Sequence, residues 1–500
     1  MVNKIDSNVT GLRYAEEATL KKLPASPIFH MLEPNSYSDF GGQIATVARN
    51  PINASRQRKK GVVTDLDASG GFNQDLTTVN TTRLLQGFFF ADAREKWTSK
   101  SLLNNTNALV AVTAEAYTVT GAPILPAGTL IKASGFNKVA NNGIKKLAAP
   151  STDSAITVSG LSAESTVPAA RLEVVGQEFN AGDISIALNG GFAQLTSATV
   201  DMTTLGLIPG EWLFIGGDSI TNRFENSYGF ARVGSVTATY IELDKISWEP
   251  VVEDGAGVSL HVYFGTVIKN ETERSKIKRR TYHVERTLDN DDDGTMSEYL
   301  VGAVPNEFTM TVSQADKVTI DMSFVALDNE QRTGAEGLKE GARPILPPAD
   351  AFNTSTDFTR IKLAPVDLET SNPKPLFAYA TEMTVTINNN VSANKAIGVL
   401  GGFDTTAGTF EVGGSMTVYF ADIKAVRAVR ENADITLDAA LVKNNEGMVF
   451  DIPLLSLGDG RLSVEQDQPI TLPLENNAAE SKFGHTLLFN NFAYLPDIAQ

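Results

Sequence analysis

Short alternating segments separated by glycine, asparagine and proline run through most of this chain and constrain its fold more than any other feature. Residues 155–159, 240–244 and 383–387 alternate apolar and polar side chains with the period of two expected of a half-buried strand. The 500 residues include 40 glycines, which supply turns between such strands. The pattern predicts a mainly β protein.

One short helix is predicted over residues 80–90. Leu84, Leu85, Phe88 and Phe89 fall on one helical face there. Asn80 or Thr81 is expected to cap it.

A second helix is predicted over 422–432, with Asp422 as its cap and Ile423, Val426 and Val429 directed inward. Just before it, Gly413-Gly-Ser415 separates two apolar stretches, which predicts a hairpin.

Composition divides the chain into three segments. Residues 1–74 are polar and predicted to be irregular, and a polar break at residues 104–107 precedes a run of short β segments that ends near residue 265. We expect residues 101–265 to form an inserted all-β outer domain, with residues 1–100 and 266–500 completing one domain around it. The proline-rich stretch 328–376 is predicted to be a long functional or disordered loop.

The overall composition excludes several classes of protein. The chain has no cysteine, so disulfides and thiol chemistry are excluded. Its net charge of −17 argues against tight DNA binding, which depends on Lys and Arg. No signal peptide or membrane-spanning apolar run is visible, which favours folding in a cytoplasm without a membrane partner.

Motifs for chemistry are weak. Residues 217–220 (Gly-Asp-Ser-Ile) resemble a serine-esterase block, but the only late histidine, His485, follows Lys482 where an acid would be required. Residues 289–294 match the first half of a calcium loop, but Leu300 occupies the position of the bidentate Glu, so a solvated acidic turn is the better interpretation. We therefore predict no catalytic, cofactor or metal site.

The charge layout of residues 266–300 suggests a subunit contact. Basic residues precede Tyr282 and acidic residues follow it, an arrangement that can pair head to tail between copies. A solvated hairpin tip is the alternative. We predict a projecting hairpin or arm whose interface candidates are Arg274, Lys276, Lys278, Arg279, Arg280, Asp289, Asp291, Asp292 and Asp293.

The order of several motifs resembles the major tail tube proteins of siphophages, phages with long, non-contractile tails. The strongest segments are in the C-terminal third, and weaker ones lie upstream. They are residues 384–392 (Thr-Val-Thr-Ile-Asn-Asn-Asn-Val-Ser), 398–401, 407–413, 418–422, 450–453 and 492–496, with 14–19, 52–57, 130–137, 141–143 and 231–233.

This resemblance implies a virion structural protein with a tube domain of the β-barrel or sandwich kind, and no enzyme. It implies hexameric rings that stack into a tail tube, enclose a tape-measure protein, meet tail terminator and tail tip proteins, and conduct double-stranded DNA without specific binding. The expected location is the virion, with assembly in the host cytoplasm.

Three other functions remain open. A major capsid protein is disfavoured because no 20-residue amphipathic helix is visible. A secreted adhesin or surface-layer protein is disfavoured by the missing signal peptide, and a hydrolase by the missing catalytic groups.

Overall fold

The computed structural model describes residues 5–37, 39–52, 57–102, 107–165, 169–291 and 294–500. The chain divides into two compact units. Unit 1 consists of residues 1–91, 273–354 and 381–417, and unit 2 of residues 92–272, 355–380 and 418–500. With 47% strand and 7% helix, the chain is mainly β, as predicted.

The elements follow in chain order. The first segment of unit 1 contains β1 (Gly11–Glu16), β2 (His30–Leu32), β3 (Pro34–Ser36), β4 (Gly41–Arg49), β5 (Lys59–Asp75) and helix α1 (Thr82–Phe89). The long segment of unit 2 contains β6 (Leu109–Val112), β7 (Ala116–Val119), β8 (Thr129–Ser134), β9 (Gly143–Lys146), β10 (Ala155–Thr157), β11 (Arg171–Glu178), β12 (Ile184–Asn189), β13 (Phe192–Ser197), β14 (Trp212–Ile215), β15 (Gly229–Val236), β16 (Tyr240–Ile246), β17 (His261–Tyr263) and β18 (Thr266–Lys269).

The remaining elements alternate between the units. They are β19 (Tyr282–Asp291), β20 (Gly294–Ser313), β21 (Thr319–Ala326) and β22 (Asp328–Arg332) in unit 1; β23 (Phe358–Pro365) in unit 2; β24 (Ala380–Asn388), β25 (Ser392–Asn394), β26 (Asp404–Thr406) and most of β27 (Glu411–Tyr419) in unit 1; and α2 (Ile423–Arg430), β28 (Ile435–Lys443), β29 (Glu446–Asp459), β30 (Thr471–Ala478) and β31 (Leu488–Phe492) in unit 2.

Unit 1 is organised around the 20-residue strand β20. Its first half pairs with β19 and β22, and its second half pairs with β21 and β24. Helix α1 buries the predicted apolar face, and Phe88 contacts the rings of Phe308 and Phe324 on β20 and β21. The predicted cap is wrong, because the Thr81 side chain makes no capping bond and Asn80 Oδ1 accepts from Thr77 N and Thr81 Oγ1 instead.

Unit 2 contains a nine-stranded antiparallel sheet in the order β12-β13-β16-β15-β14-β17-β11-β8-β9. A second group of strands joins β23, β28, β29, β30, β31 and β18. Trp212 and Phe230 from the first sheet share a buried cluster with Val449 and Leu488 from the second group. Residues 101–265 thus lie in the same compact unit as residues 355–380 and 418–500, and their folding as an independent domain stays a prediction.

The two units repeat one arrangement of elements. In each, an eight-residue helix precedes a hairpin whose second strand is long and changes partner along its length, although in unit 1 the segment 92–272 of unit 2 lies between helix and hairpin. In unit 1, β20 pairs with β19 through residues 294–303 and with β21 through 304–311. In unit 2, β29 pairs with β28 through 446–455 and with β30 through 455–459. The repeat is one of topology.

Several local predictions are wrong. Residues 1–74 are not irregular, since β1 to β5 lie there. Gly413-Gly-Ser415 makes no hairpin but lies inside β27. Gly414 has φ of +146°, and a Cβ there would lie 2.1 Å from the carbonyl oxygen of Thr384, so a glycine is required for the two backbones to approach closely. Asp422 does cap α2, but Ile423 is exposed while Ala425 and Ala428 face inward.

The predicted barrel is also corrected. The sheets of the described residues do not close into a barrel. In that part of the chain the registered partner of β4 is β5, and the other edge of β4 stays open, whereas a closed barrel has no edge.

Candidate assembly surface

A two-stranded ribbon in unit 1 is the most unusual surface of the described chain. It consists of β4 together with residues 59–67 of β5, and we call it the ribbon. Its register runs from Gln43 opposite Asp67 to Arg49 opposite Lys59, whereas residues 68–75 of β5 also pair with β21. A two-stranded sheet is only marginally stable by itself in water, so such a ribbon gains from further contacts.

Both faces of the ribbon expose apolar side chains. Val47 is 58% exposed and lies opposite Val62, which is 54% exposed. Val63 follows Val62 directly, so it points to the other face, and it is 55% exposed. Open edges with apolar faces form a ready template for binding another chain.

The outer end of the ribbon is basic. Arg49, Arg58, Lys59 and Lys60 are all exposed there, in a chain whose net charge is −17. Such a positive end is attracted to acidic surfaces.

A second exposed apolar segment lies beside the ribbon. The loop between β25 and β26 exposes Ile397 and leaves Leu400 and Phe403 half exposed. Lys395 pairs with Asp65 and Asp67 of β5, which fixes the start of this loop next to the ribbon. The hydrogen bond from Lys395 is the main reason that the pKa of Asp65 is lowered.

The predicted interface residues occupy the β19–β20 hairpin and the segment before it. Residues 266–269 form β18 in unit 2, so the hairpin itself starts at Tyr282. Asp289 is exposed near the turn with φ of +68°, and the backbone of Asp291 pairs with Gly294. Asp292, Asp293 and the side chain of Asp291 lie outside the described residues.

The basic candidates divide into two groups. Arg274, Lys276 and Lys278 are exposed, and Lys276 pairs with Glu273 at 3.0 Å. The other two bind within their own unit. Arg279 contacts Asp404 and the carbonyl of Thr405, and Arg280 is only 8% exposed and bonds to Glu16 and to the carbonyl of Ala91.

We predict that reversing the exposed group, with Arg274, Lys276 and Lys278 changed to Glu, weakens assembly but leaves the fold intact. Arg280 is kept because a Glu in its buried position would lose two partners and disturb unit 1. Sedimentation of the purified variant measures the loss. The control variant changes Lys138, Lys145 and Lys146 of unit 2 to Glu and should assemble normally. When Asp291, Asp292 and Asp293 are changed to Lys in the Arg274, Lys276 and Lys278 variant, assembly should be partly restored. Normal assembly of the Arg274, Lys276 and Lys278 variant would exclude this segment as a connector.

Sequence reasoning missed the ribbon. Its strands lack the alternation of buried and exposed positions because both faces are exposed, and Gly61 interrupts β5. The usable signal was the pair of β-branched clusters at 44–47 and 62–64 flanking a polar turn, which is a hairpin pattern.

The weak chemical motifs have structural uses. Ser219 caps a 3-10 turn by accepting from Thr221 N, and Leu300 lies buried in β20. His485 is buried, and burial lowers its pKa to about 3. Among the described residues, no group of three or more acidic or histidine side chains could hold a metal ion. In the same residues, no helix has the length and apolarity that crossing a membrane requires.

Comparison with known proteins identifies the family of the chain. A family model described as phage tail tube protein matches residues 7–478. No curated protein matches the chain. Since the match covers nearly the whole sequence, the chain belongs to the phage tail tube protein family.

Proposed function

We propose that this chain forms the tail tube of a siphophage, as hexameric rings that stack through the ribbon and the loop beside it. Family membership gives the coarser role, a structural protein of the virion tail that assembles with itself into a tube. The observation that supports the use of the ribbon is its combination of open edges, apolar faces and basic end.

The proposed partner of the ribbon is a second copy of the chain. Rings and stacked rings are heterologous assemblies, in which one surface binds a different surface of the neighbour. The ribbon supplies one such surface and need not be self-complementary. Because each contact repeats around the ring and along the tube, weak single contacts add to a stable assembly.

We propose that the tube encloses a tape-measure protein, joins tail terminator and tail tip proteins, and later conducts double-stranded DNA. Six copies carry six times −17, a formal charge of −102. A lumen that takes part of this charge repels phosphates, so DNA passes without specific binding. Assembly in the host cytoplasm and the absence of enzymatic activity belong to the same proposal.

This proposal predicts that the purified chain forms hollow tubes at high concentration. Negative-stain microscopy shows tubes, shells, sheets or monomers directly. Shells would favour a capsid protein, and sheets a surface-layer protein. A chain that stays monomeric and is absent from virion tails would rule the proposal out.

Ring stoichiometry is measured on the same sample. Native mass spectrometry of single rings should give six chains. A ring of three chains would contradict the hexamer. It would be explained by the topological repeat, because three chains would supply six copies of the helix-and-hairpin arrangement.

A further inference from the structure

Lys362 and Asn372 form an unusual contact in unit 2. Lys362 lies on β23, and its Nζ is 2.6 Å from Oδ1 of Asn372. A carbonyl bond is about 1.2 Å long, so the amide carbon lies within about 4 Å of this nitrogen. The hydrogen bond points Nζ at the oxygen, so a rotation of the Lys362 side chain must bring Nζ over the face of the amide, within roughly 3–3.5 Å of the carbon, before it can attack.

The amide of Asn372 is held in one orientation. Its Nδ2 donates to the carbonyl of Trp248 at 2.9 Å, which turns Oδ1 toward Lys362. The preceding residue, Ser371, is buried, and its Oγ donates to the carbonyl of Leu243 at 2.8 Å. Its backbone N also donates to Gly191 O at 3.1 Å. These bonds remove the motion that would separate the two groups.

Lys362 can supply the neutral amine that a nucleophile requires. Burial, helped by the nearby charges of Arg360 and Lys245, lowers its pKa to about 8, although Asp438 and Glu249 act in the opposite direction. A sizeable fraction is then uncharged in mildly alkaline solution, unlike that of an ordinary surface lysine.

Glu249 completes the group. Its Oε1 is 3.5 Å from Nδ2 of Asn372, the nitrogen that would leave. A carboxylate at this place can give a proton to the departing nitrogen, and its charge also acts on Lys362.

We propose that Lys362 and Asn372 join in an intramolecular isopeptide bond, with Glu249 as general acid. The bond between Nζ and the side-chain carbonyl carbon forms, and the bond from that carbon to Nδ2 breaks. Nζ gives up one proton, Nδ2 takes one from Glu249 and leaves as ammonia, and the protons balance. No oxidant or other reactant is required.

The neighbouring residue simplifies the test. Asparagine commonly loses ammonia by cyclising onto the nitrogen of the next residue, but here that residue is Pro373, which has no N–H. Loss of ammonia at Asn372 therefore reports attack by another group.

The test is the intact mass of the denatured, full-length chain. We expect it to be lighter than the sequence by one ammonia molecule. Trypsin should fail to cleave after Lys362, and a branched peptide joining Lys362 to Asn372 should appear. Incubation at alkaline pH should complete any partial reaction.

Three variants are expected to keep their full mass: Lys362→Arg, Asn372→Ala and Glu249→Gln. Lys362→Arg retains a cation beside Asn372, and its circular dichroism checks that the fold is unchanged. Wild-type protein at full mass after alkaline incubation would overturn the proposal, and so would ammonia loss that persists in Lys362→Arg. Tube formation is scored separately, so this result does not depend on the proposed function.

Discussion

Changing Val62 and Val63 together to Asp should abolish tube formation without unfolding the chain. Both side chains are more than half exposed, so the folded monomer loses little packing, and surface changes of this kind usually alter stability by about 0.5 kcal/mol or less. In an assembled tube each buried valine would contribute about 1.5–3 kcal/mol, and a buried Asp would add a desolvation cost. Negative-stain microscopy and sedimentation measure the loss.

A gentler pair of substitutions separates assembly from ribbon stability. Val62→Thr and Val63→Thr keep the β-branched shape that suits a strand but remove apolar surface. They should raise the concentration required for assembly without abolishing it.

The control for the Asp variant of Val62 and Val63 changes Ile124 and Val139, exposed apolar residues of unit 2, to Asp. If the Val62 and Val63 variant forms tubes and this control forms none, the interface lies in unit 2 instead.

Local patterns predicted the parts of the fold that depend on local forces. Helix α1 was predictable because its apolar residues form one buried face. Asp422 was predictable as a cap because its side chain satisfies the nearby backbone N–H of Lys424. In both cases the partners are a few residues apart in sequence.

The roles of residues whose partners are distant in sequence could not be predicted from local patterns. Gly414 signalled a turn, but its role is set by Thr384 on another strand. Arg280 was interpreted as part of an exposed basic run, although Glu16 and Ala91 bind it in unit 1. The ribbon was missed because both of its faces are exposed, so its apolar residues follow no buried face.

A buried charge network in unit 2 is the strongest example of a distant contact. Arg232 is about 1% exposed and donates to Asp244 at 2.6 Å and to Asp451 at 2.9 Å, 219 residues away in sequence. It also donates to Thr436 Oγ1 at 3.1 Å. This guanidinium thereby joins the block 101–265 to the C-terminal strands.

The two carboxylates respond differently to this setting. Burial opposes ionisation of Asp244, but the charges of Arg232, Lys245 and Lys482 outweigh it and lower its pKa to about 2. For Asp451, burial dominates over the attraction of Arg232, and the pKa is raised to about 7. Removing the guanidinium would leave both carboxylates buried with less compensation.

We therefore expect Arg232→Met to lower the free energy of unfolding by about 3–5 kcal/mol, the usual cost of removing one partner of a buried ion pair.

The substitution should also change the pH dependence of stability. Asp244 has an ordinary pKa of 3.8 when unfolded, so its contribution to the free energy of unfolding is complete above that pH and is lost as the pH falls through 2. Without Arg232 its folded pKa rises, and acid unfolding should begin at a higher pH. Urea denaturation at neutral pH and an acid titration measure the two effects. The control is Lys424→Met, which removes an exposed pair with Asp422 in the same unit and should cost about 1 kcal/mol or less. Equal effects of the two substitutions would mean that the buried network does not hold the block 101–265 to the C-terminal strands.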